Sequence, residues 1–177
     1  GDVHLHPLDV VDDGQIEALA GALSEEPIDI LIHNAGINAG RGAGDPETTA
    51  RSMRINAEAP IVTVAALLDG VAASGEKKVA VMSSVQGSGR PRADSPDLYG
   101  DSKGELNKRF RAIEPEWRAR GITAVALHPG YVRTDMTGAH ASLSPEESVR
   151  GMRNVLAGLT ARDGGRFLDY RGKDVTW

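Results

Sequence analysis

The sequence predicts an α/β fold, a parallel β-sheet built from βαβ units with helices on both faces. Short apolar runs rich in β-branched residues alternate with longer stretches of helical period. The run "IDILIH" at 28–33 is continuously apolar, the pattern of a strand buried on both faces of a parallel sheet. No internal repeat, low-complexity segment or linker divides the 177 residues, so residues 1–177 read as one domain.

Taken in order, "VHLHPLDV" at 3–10 is a weak strand interrupted by Pro7. "DDGQIEALAGAL" follows an Asp cap and places Ile16, Leu19, Ala20 and Leu23 at helical spacing. After "IDILIH" comes the glycine-rich loop "NAGINAGRGAGD". Asp45-Pro46, a cap with a first-turn proline, opens a long helix to about Ala73. "KKVAVMSS" is the next strand. A polar loop holding Gly87, Gly89, Pro91 and Pro96 leads to a second cap, Ser95-Pro96, and a helix towards Arg120 in which Pro115 is expected to kink the axis. "ITAVALHP" is a strand, "SPEESVRGMRNVLAGL" a capped helix and "RFLDYRG" a final strand.

Composition removes several function classes. Apolar residues make up 40% and charged residues 25%, ordinary for a soluble globular protein. The net charge of −5, without a basic block, argues against nucleic acid or an anionic membrane surface as partner. Cysteine is absent, which excludes disulfides and thiolate metal ligands. The five histidines lack metal-ligand spacing, and His33 and His128 read as strand-end residues. No apolar run approaches the length of a membrane span, and "GDVHLHPLDVVDD" lacks a signal-peptide profile, so a cytoplasmic location is expected.

In a sheet of this kind ligands bind at the carboxyl ends of the strands, and polar residues collect there. His33-Asn34-Ala35-Gly36 follows "IDILI", Ser83 and Ser84 end "KKVAVM", and His128-Pro129-Gly130 ends "ITAVAL". Tyr99 and Lys103 sit four apart in the opening of the helix after the serine doublet. Alone, such a pair reads more readily as two unrelated residues on a solvated helical face. A phenol is a poor catalyst at neutral pH unless a cation favours its phenolate, and residues four apart share a helix face. Lys103 is therefore expected to lower the pKa of Tyr99. Pro60 lacks an N–H and crowds the carbonyl of Asn56, freeing that carbonyl at a kink.

Together, Asp9-Val10, "NAG" at 34–36, Asn56, "SS" at 83–84, Y-x-x-x-K at 99–103 and "PG" at 129–130 resemble the short-chain dehydrogenase/reductase family, over essentially the whole chain. "YGDSKGELN", "HPGYVRTDM" and "GRFLDYRGKDVTW" look like its C-factor/sniffer-like carbonyl-reductase branch. The resemblance implies a Rossmann-type doubly wound parallel sheet and an NADP or NAD cofactor, NADP slightly favoured. It makes Tyr99 the proton donor to a carbonyl, Lys103 the holder of the nicotinamide ribose, and Ser84 the residue orienting the carbonyl oxygen. Ser84 is preferred because the family serine is the second of the doublet, yet its fifteen-residue gap to Tyr99 is slightly long, so Ser83 stays open. Asn56 would hold a proton-relay water on its carbonyl. Asp9 and Val10 would contact the adenine, and Asn34, Ala35 and Gly36 would run beside the adenosine ribose. Pro129 and Gly130 would lead to Val132 and Thr134 at the carboxamide.

The family's opening strand, G-x-x-x-G-x-G turn, helix and second strand have no counterpart in these residues, so the domain is expected to be N-terminally incomplete. The glycines of "NAGRGAGD" follow the wrong strand for a phosphate loop. Only about nine residues separate Met136 from Pro145, a short substrate lid that suits a small aldehyde or ketone. A homo-oligomer is expected through helices 46–73 and 96–120, with Ile61, Val64, Leu68 and Phe110 as their apolar residues. Two rival readings stand beside the reductase: a cofactor-free remnant acting in protein interaction or signalling, and a fragment of an ordinary reductase.

Overall fold

The computed structural model describes residues 2–39, 45–89 and 97–177. Four parallel strands form one sheet in the order β1 (Ile30–His33), β2 (Lys78–Met82), β3 (Thr123–His128) and β4 (Phe167–Asp169). Ile30 pairs with Lys78, Lys78 with Thr123, and Ala126 with Phe167. Helix α1 (Asp13–Ala22) precedes β1 and is capped by the Asp12 carboxylate, which accepts from the Gln15 N–H. Ile16 is its buried anchor.

The long helix expected over 46–73 is broken twice. Asp45 caps α2 (Pro46–Met53), which widens into a π-turn at Arg54–Glu58 before α3 (Ala59–Ala66). In that turn the Ala59 N–H donates to the Arg54 carbonyl, five residues back. Pro60, which has no N–H to offer the Asn56 carbonyl, stands just beyond. A second break at Leu67 separates α4 (Leu68–Ala73). By contrast α5 (Leu98–Ala119) runs unbroken through Pro115. Its cap is Asp97, whose carboxylate accepts from Gly100 N–H at 3.1 Å; Ser95 and Pro96 lie outside the described residues. Helix α6 (Pro145–Gly158) opens on a full capping box between Ser144 and Glu147.

The sheet separates two apolar layers. On one face Val64, Val71, Leu106, Phe110 and Trp117 pack against Val79, Val81, Ala124 and Ala126. Trp177 closes this layer, stacked on Phe110 at 6.0 Å and against Phe167 at 5.3 Å. On the other face Leu156 of α6 packs on Ala80, Met82, Val125 and Leu127.

Three expectations are corrected here. Residues 3–10 form no strand, because a strand needs a partner's ladder and none lies beside them among the described residues. "IDILIH" is not buried on both faces: β1 is an edge, with Ile30 41% and Ile32 47% exposed. The apolar residues assigned to an intermolecular helix pairing face inward instead. Val64, Leu68 and Phe110 are buried in the chain's own core, with Ile61 packed against it.

Candidate active site

The carboxyl ends of β2 and β3 and the first turns of α5 meet at one place. After β2 the chain turns through a short 3₁₀ segment, Val85–Gly87, and the Ser84 hydroxyl accepts from the Gln86 N–H at 3.2 Å. Gly87 lets this turn lie directly on α5. A Cβ there would stand 2.6 Å from the Lys103 carbonyl carbon and 2.7 Å from the Gly104 nitrogen. That approach brings the Ser84 hydroxyl to Tyr99, whose phenolate it favours.

The serine doublet is divided by its partners. The Ser83 hydroxyl donates to Asn107 Oδ1 at 2.6 Å, and Asn107 Nδ2 donates to the Gly87 carbonyl at 3.2 Å. Ser83 is thus tied to the scaffold, whereas Ser84 meets the phenol. One turn beyond Tyr99, the buried Lys103 Nζ donates to the Met82 carbonyl at 2.8 Å and sits 5.8 Å from the centre of the Tyr99 ring.

Asn56 contributes its side chain as well as its position in the π-turn. Its Oδ1 accepts from Ile37 N–H at 2.8 Å; its Nδ2 donates to the Ile37 carbonyl at 2.8 Å and to Ser102 Oγ at 2.9 Å. Ser102 Oγ donates in turn to the Tyr99 carbonyl at 2.8 Å. The Asn34–Gly36 turn is thereby fastened to α5. Gly36 lies close to both: a Cβ there would stand 3.2 Å from Asn56 Oδ1 and 3.5 Å from Lys103 Nζ. Sequence reasoning missed Ser102, Asn107 and Gly87. The two polar ones stand inside "YGDSKGELN", but only their positions one and two turns along α5 reveal what they hold.

The electrostatics differ from expectation at Tyr99. Burial pushes its pKa up, the Ser84 hydrogen bond pulls it down, and Asp97 raises it further; the net shift is upward. The expected lowering by Lys103 is overturned, because the ammonium is turned to the Met82 carbonyl and desolvation of the phenolate prevails. Lys103 is itself lowered to about 8 by burial. The site at rest therefore pairs a neutral phenol with an ammonium that is easier to deprotonate than usual. His33, at the end of β1, is lowered to about 4 by burial and by the Lys103 charge, and neither ring nitrogen has a hydrogen-bond partner.

The other predicted residues have partners of their own. The Pro129 carbonyl accepts from Ser148 Oγ at 2.7 Å. Gly130 has φ +88°, and a Cβ there would meet Leu143 at 2.9 Å. Val132 forms a parallel bridge with Leu143, and the Thr134 N–H donates to Thr137 Oγ1 at 3.1 Å. Asp9 is engaged in the turn into α1: its N–H donates to Gln15 Oε1 at 2.8 Å, and its carbonyl accepts from Asp12. Val10 is half-buried beside it.

These groups suit one end of a nicotinamide dinucleotide. Lys103 has N–H groups beyond the one given to Met82, and the Gly36 backbone runs bare beside it. Nothing in the sequence supplies a glycine-rich turn at a helix N-terminus for the pyrophosphate, and residues 40–44 of the other glycine loop lie outside the described residues. Among the described residues no group of three acidic, histidine or cysteine side chains could hold a metal, and no helix is long and apolar enough to cross a membrane.

Comparison with known proteins shows the family and the fold. A family model described as short chain dehydrogenase matches residues 1–143. The C-signal protein of Myxococcus xanthus is 37% identical over 166 residues, covering 92% of this chain and 100% of that protein. The solved NADPH-bound carbonyl reductase from chicken fatty liver superposes with a TM-score of 0.89 at 30% identity, covering 98% of this chain and 77% of that one. The carbonyl reductase Sniffer of D. melanogaster gives 0.88 at 25% identity, covering 98% and 78%.

Proposed function

The chain belongs to the short-chain dehydrogenase family, and from that premise we propose that its site reduces the carbonyl of a small aldehyde or ketone to an alcohol. The carrying observation is the contact of Ser84 with Tyr99 beside the buried Lys103. A bound NADPH or NADH supplies the hydride. The Ser84 hydroxyl hydrogen-bonds the substrate's carbonyl oxygen and holds it against the Tyr99 hydroxyl. Tyr99 gives its proton to that oxygen as the carbon is reduced, and the raised pKa keeps the phenol loaded beforehand. Lys103 holds the ribose and stabilises the phenolate left behind. Asn56 keeps the Asn34–Gly36 turn in place, and its carbonyl holds the water that returns a proton to Tyr99. NADPH is favoured because the chicken reductase is a complex with it.

The test is oxidation of NADPH at millimolar concentration with a panel of small aldehydes and ketones. Tyr99→Phe keeps the ring and removes the proton donor, so the rate should fall by about 10²-fold or more. A variant retaining over about a tenth of the rate rules out this role.

A second reading, binding or signalling without a cofactor, is favoured by one observation. The C-signal protein, whose name denotes a signal, is matched over all of its length. Failure of the unmodified chain to oxidise NADPH with any carbonyl at that concentration would select this reading.

A further inference from the structure

The end of β3 stands beside the serine doublet, since the Ser83 N–H donates to the Leu127 carbonyl at 2.9 Å. Beyond it, at Gly130, the chain leaves the sheet with φ +88°. The excursion that follows is closed on itself. The Arg133 N–H donates to the Leu143 carbonyl at 2.9 Å, and the Leu143 N–H to the Tyr131 carbonyl at 3.0 Å.

Tyr170, just past β4, stands against the root of that excursion. A Cβ on Gly130 would lie 3.1 Å from both Cδ1 and Cε1 of the Tyr170 ring. Helix α6 meets the opposite edge: a Cβ on Gly151 would stand 2.8 Å from Tyr170 Cδ2 and would strike the Tyr170 carbonyl oxygen. The ring is thus wedged between two residues that have no side chain. Arg171 lies over it, with the guanidinium 4.9 Å from the ring centre and Nε donating to the Tyr170 hydroxyl at 2.7 Å.

The turn that presents the ring is tied down at four places. Asp169 Oδ1 accepts from the Arg171 N–H at 2.8 Å and from the Lys173 N–H at 2.9 Å. The Asp169 carbonyl accepts from the Gly172 N–H at 2.9 Å, and the Asp169 N–H donates to the Lys173 carbonyl at 2.8 Å. Phe167 and Leu168, immediately before it, are buried. A ring that packs on side chains has rotamers to absorb a displacement, whereas this one bears on backbone and passes its position on.

We propose that Tyr170 is a positioning residue, whose ring sets where the backbone of residues 130–133 stands as it leaves β3. The proposal rests on the reductase reading, in which cofactor and carbonyl lie outside the carboxyl ends of these strands. Tyr170 touches neither; it acts through Gly130.

Amide hydrogen exchange reads the placement without cofactor or turnover. In Tyr170→Ala the Arg133 and Leu143 amides should exchange about tenfold faster or more, as a locally opened segment does. The Ser83 and Thr123 amides, bonded between β2 and β3, should stay slow. Tyr170→Phe keeps the ring and should restore slow exchange. The second measurement is aldehyde reduction at millimolar NADPH. The rate should fall about tenfold or more in Tyr170→Ala, because a misplacement of about 1 Å costs up to about 10²-fold, and should recover in Tyr170→Phe. Slow exchange retained at Arg133 and Leu143 in Tyr170→Ala overturns the proposal. So does faster exchange that spreads to Ser83 and Thr123, since the ring would then serve the fold at large. Tyr170→Phe behaving as Tyr170→Ala does, or a loosened segment with an unchanged rate, overturns it equally. An unmodified chain without turnover refutes the reductase reading instead, and the exchange pattern then decides whether the ring holds the segment.

Discussion

Ser83 and Ser84 are adjacent, identical in type and both buried, yet their hydroxyls have different partners. Nothing local in the sequence separates them; the family resemblance alone favoured the second. What separates them is Asn107, two turns along α5 from Tyr99, whose Oδ1 accepts the Ser83 hydrogen bond at 2.6 Å. Asn107→Ala would leave that buried hydroxyl unpaired. It should cost about 1–3 kcal/mol in a urea melt, with a modest loss of activity because Asn107 also holds the Gly87 carbonyl of the turn that carries Ser84. Ser84→Ala should do the reverse, sparing stability and reducing the rate.

His33 yields a prediction with a defined sign. Its native pKa of about 4 lies below the ordinary 6.5. As pH falls through 6.5 the unfolded imidazole takes up a proton that the native one refuses until about pH 4. Stability is therefore fully present above 6.5 and lost progressively down to 4. For a group this buried the loss is on the order of 3 kcal/mol. His128, also lowered by burial, adds to it with the same sign. Melts at pH 7 and pH 5 should differ markedly for the unmodified chain and less for His33→Phe. Equal pH sensitivity in the two chains would assign the loss to other groups.

At the scale of elements, what the sequence disclosed was chemistry carried by single residues. Asp12, Asp45 and Ser144 mark helix starts because their oxygens cap backbone N–H groups. Pro60 announced a disturbance around Asn56, and the π-turn is there. Burial was legible only where the neighbours are present. "IDILIH" has the composition of a central strand, but an apolar run records the surroundings a strand suits and cannot provide them. Residues 3–10 failed as a strand for the same reason.

Close approach between elements is likewise invisible in sequence unless a glycine marks it. Gly87 does so, since a methyl group there would strike α5 backbone that cannot move aside. Gly87→Ala should lift the Val85–Gly87 turn from α5, costing about 1–3 kcal/mol. Because Ser84 rides on that turn, its contact with Tyr99 should loosen too. The measurement pairs a thermal melt with the reduction rate, and a variant unchanged in both would mean the turn does not position Ser84.

Within these 177 residues the groups proposed to handle the proton are present, and the groups proposed to hold the cofactor serve one end of it. Tyr99, Lys103, Ser84 and Asn56 stand together, yet reduction needs the nicotinamide held at reacting distance. In a Rossmann-type site that hold comes largely from backbone N–H groups of a glycine-rich turn on the pyrophosphate, and these 177 residues contain no such turn. Each charge-assisted hydrogen bond is worth about 1.5–3 kcal/mol. Two fewer cost roughly 3–6 kcal/mol, or about two to four decades of affinity. Asp9 cannot make up the difference, being engaged with Gln15 and Asp12 at the start of α1. The Asn34–Gly36 turn is fastened to Asn56 beside Lys103, at the ribose end. Titration of the purified chain with NADPH, followed by calorimetry or nicotinamide fluorescence, should therefore give a dissociation constant of hundreds of micromolar or weaker. Lys103→Met should weaken even that, because Lys103 is the residue proposed to hold the ribose. A constant near one micromolar would show that another segment carries the phosphates, with the 40–44 glycine loop the first place to look by substituting Arg41.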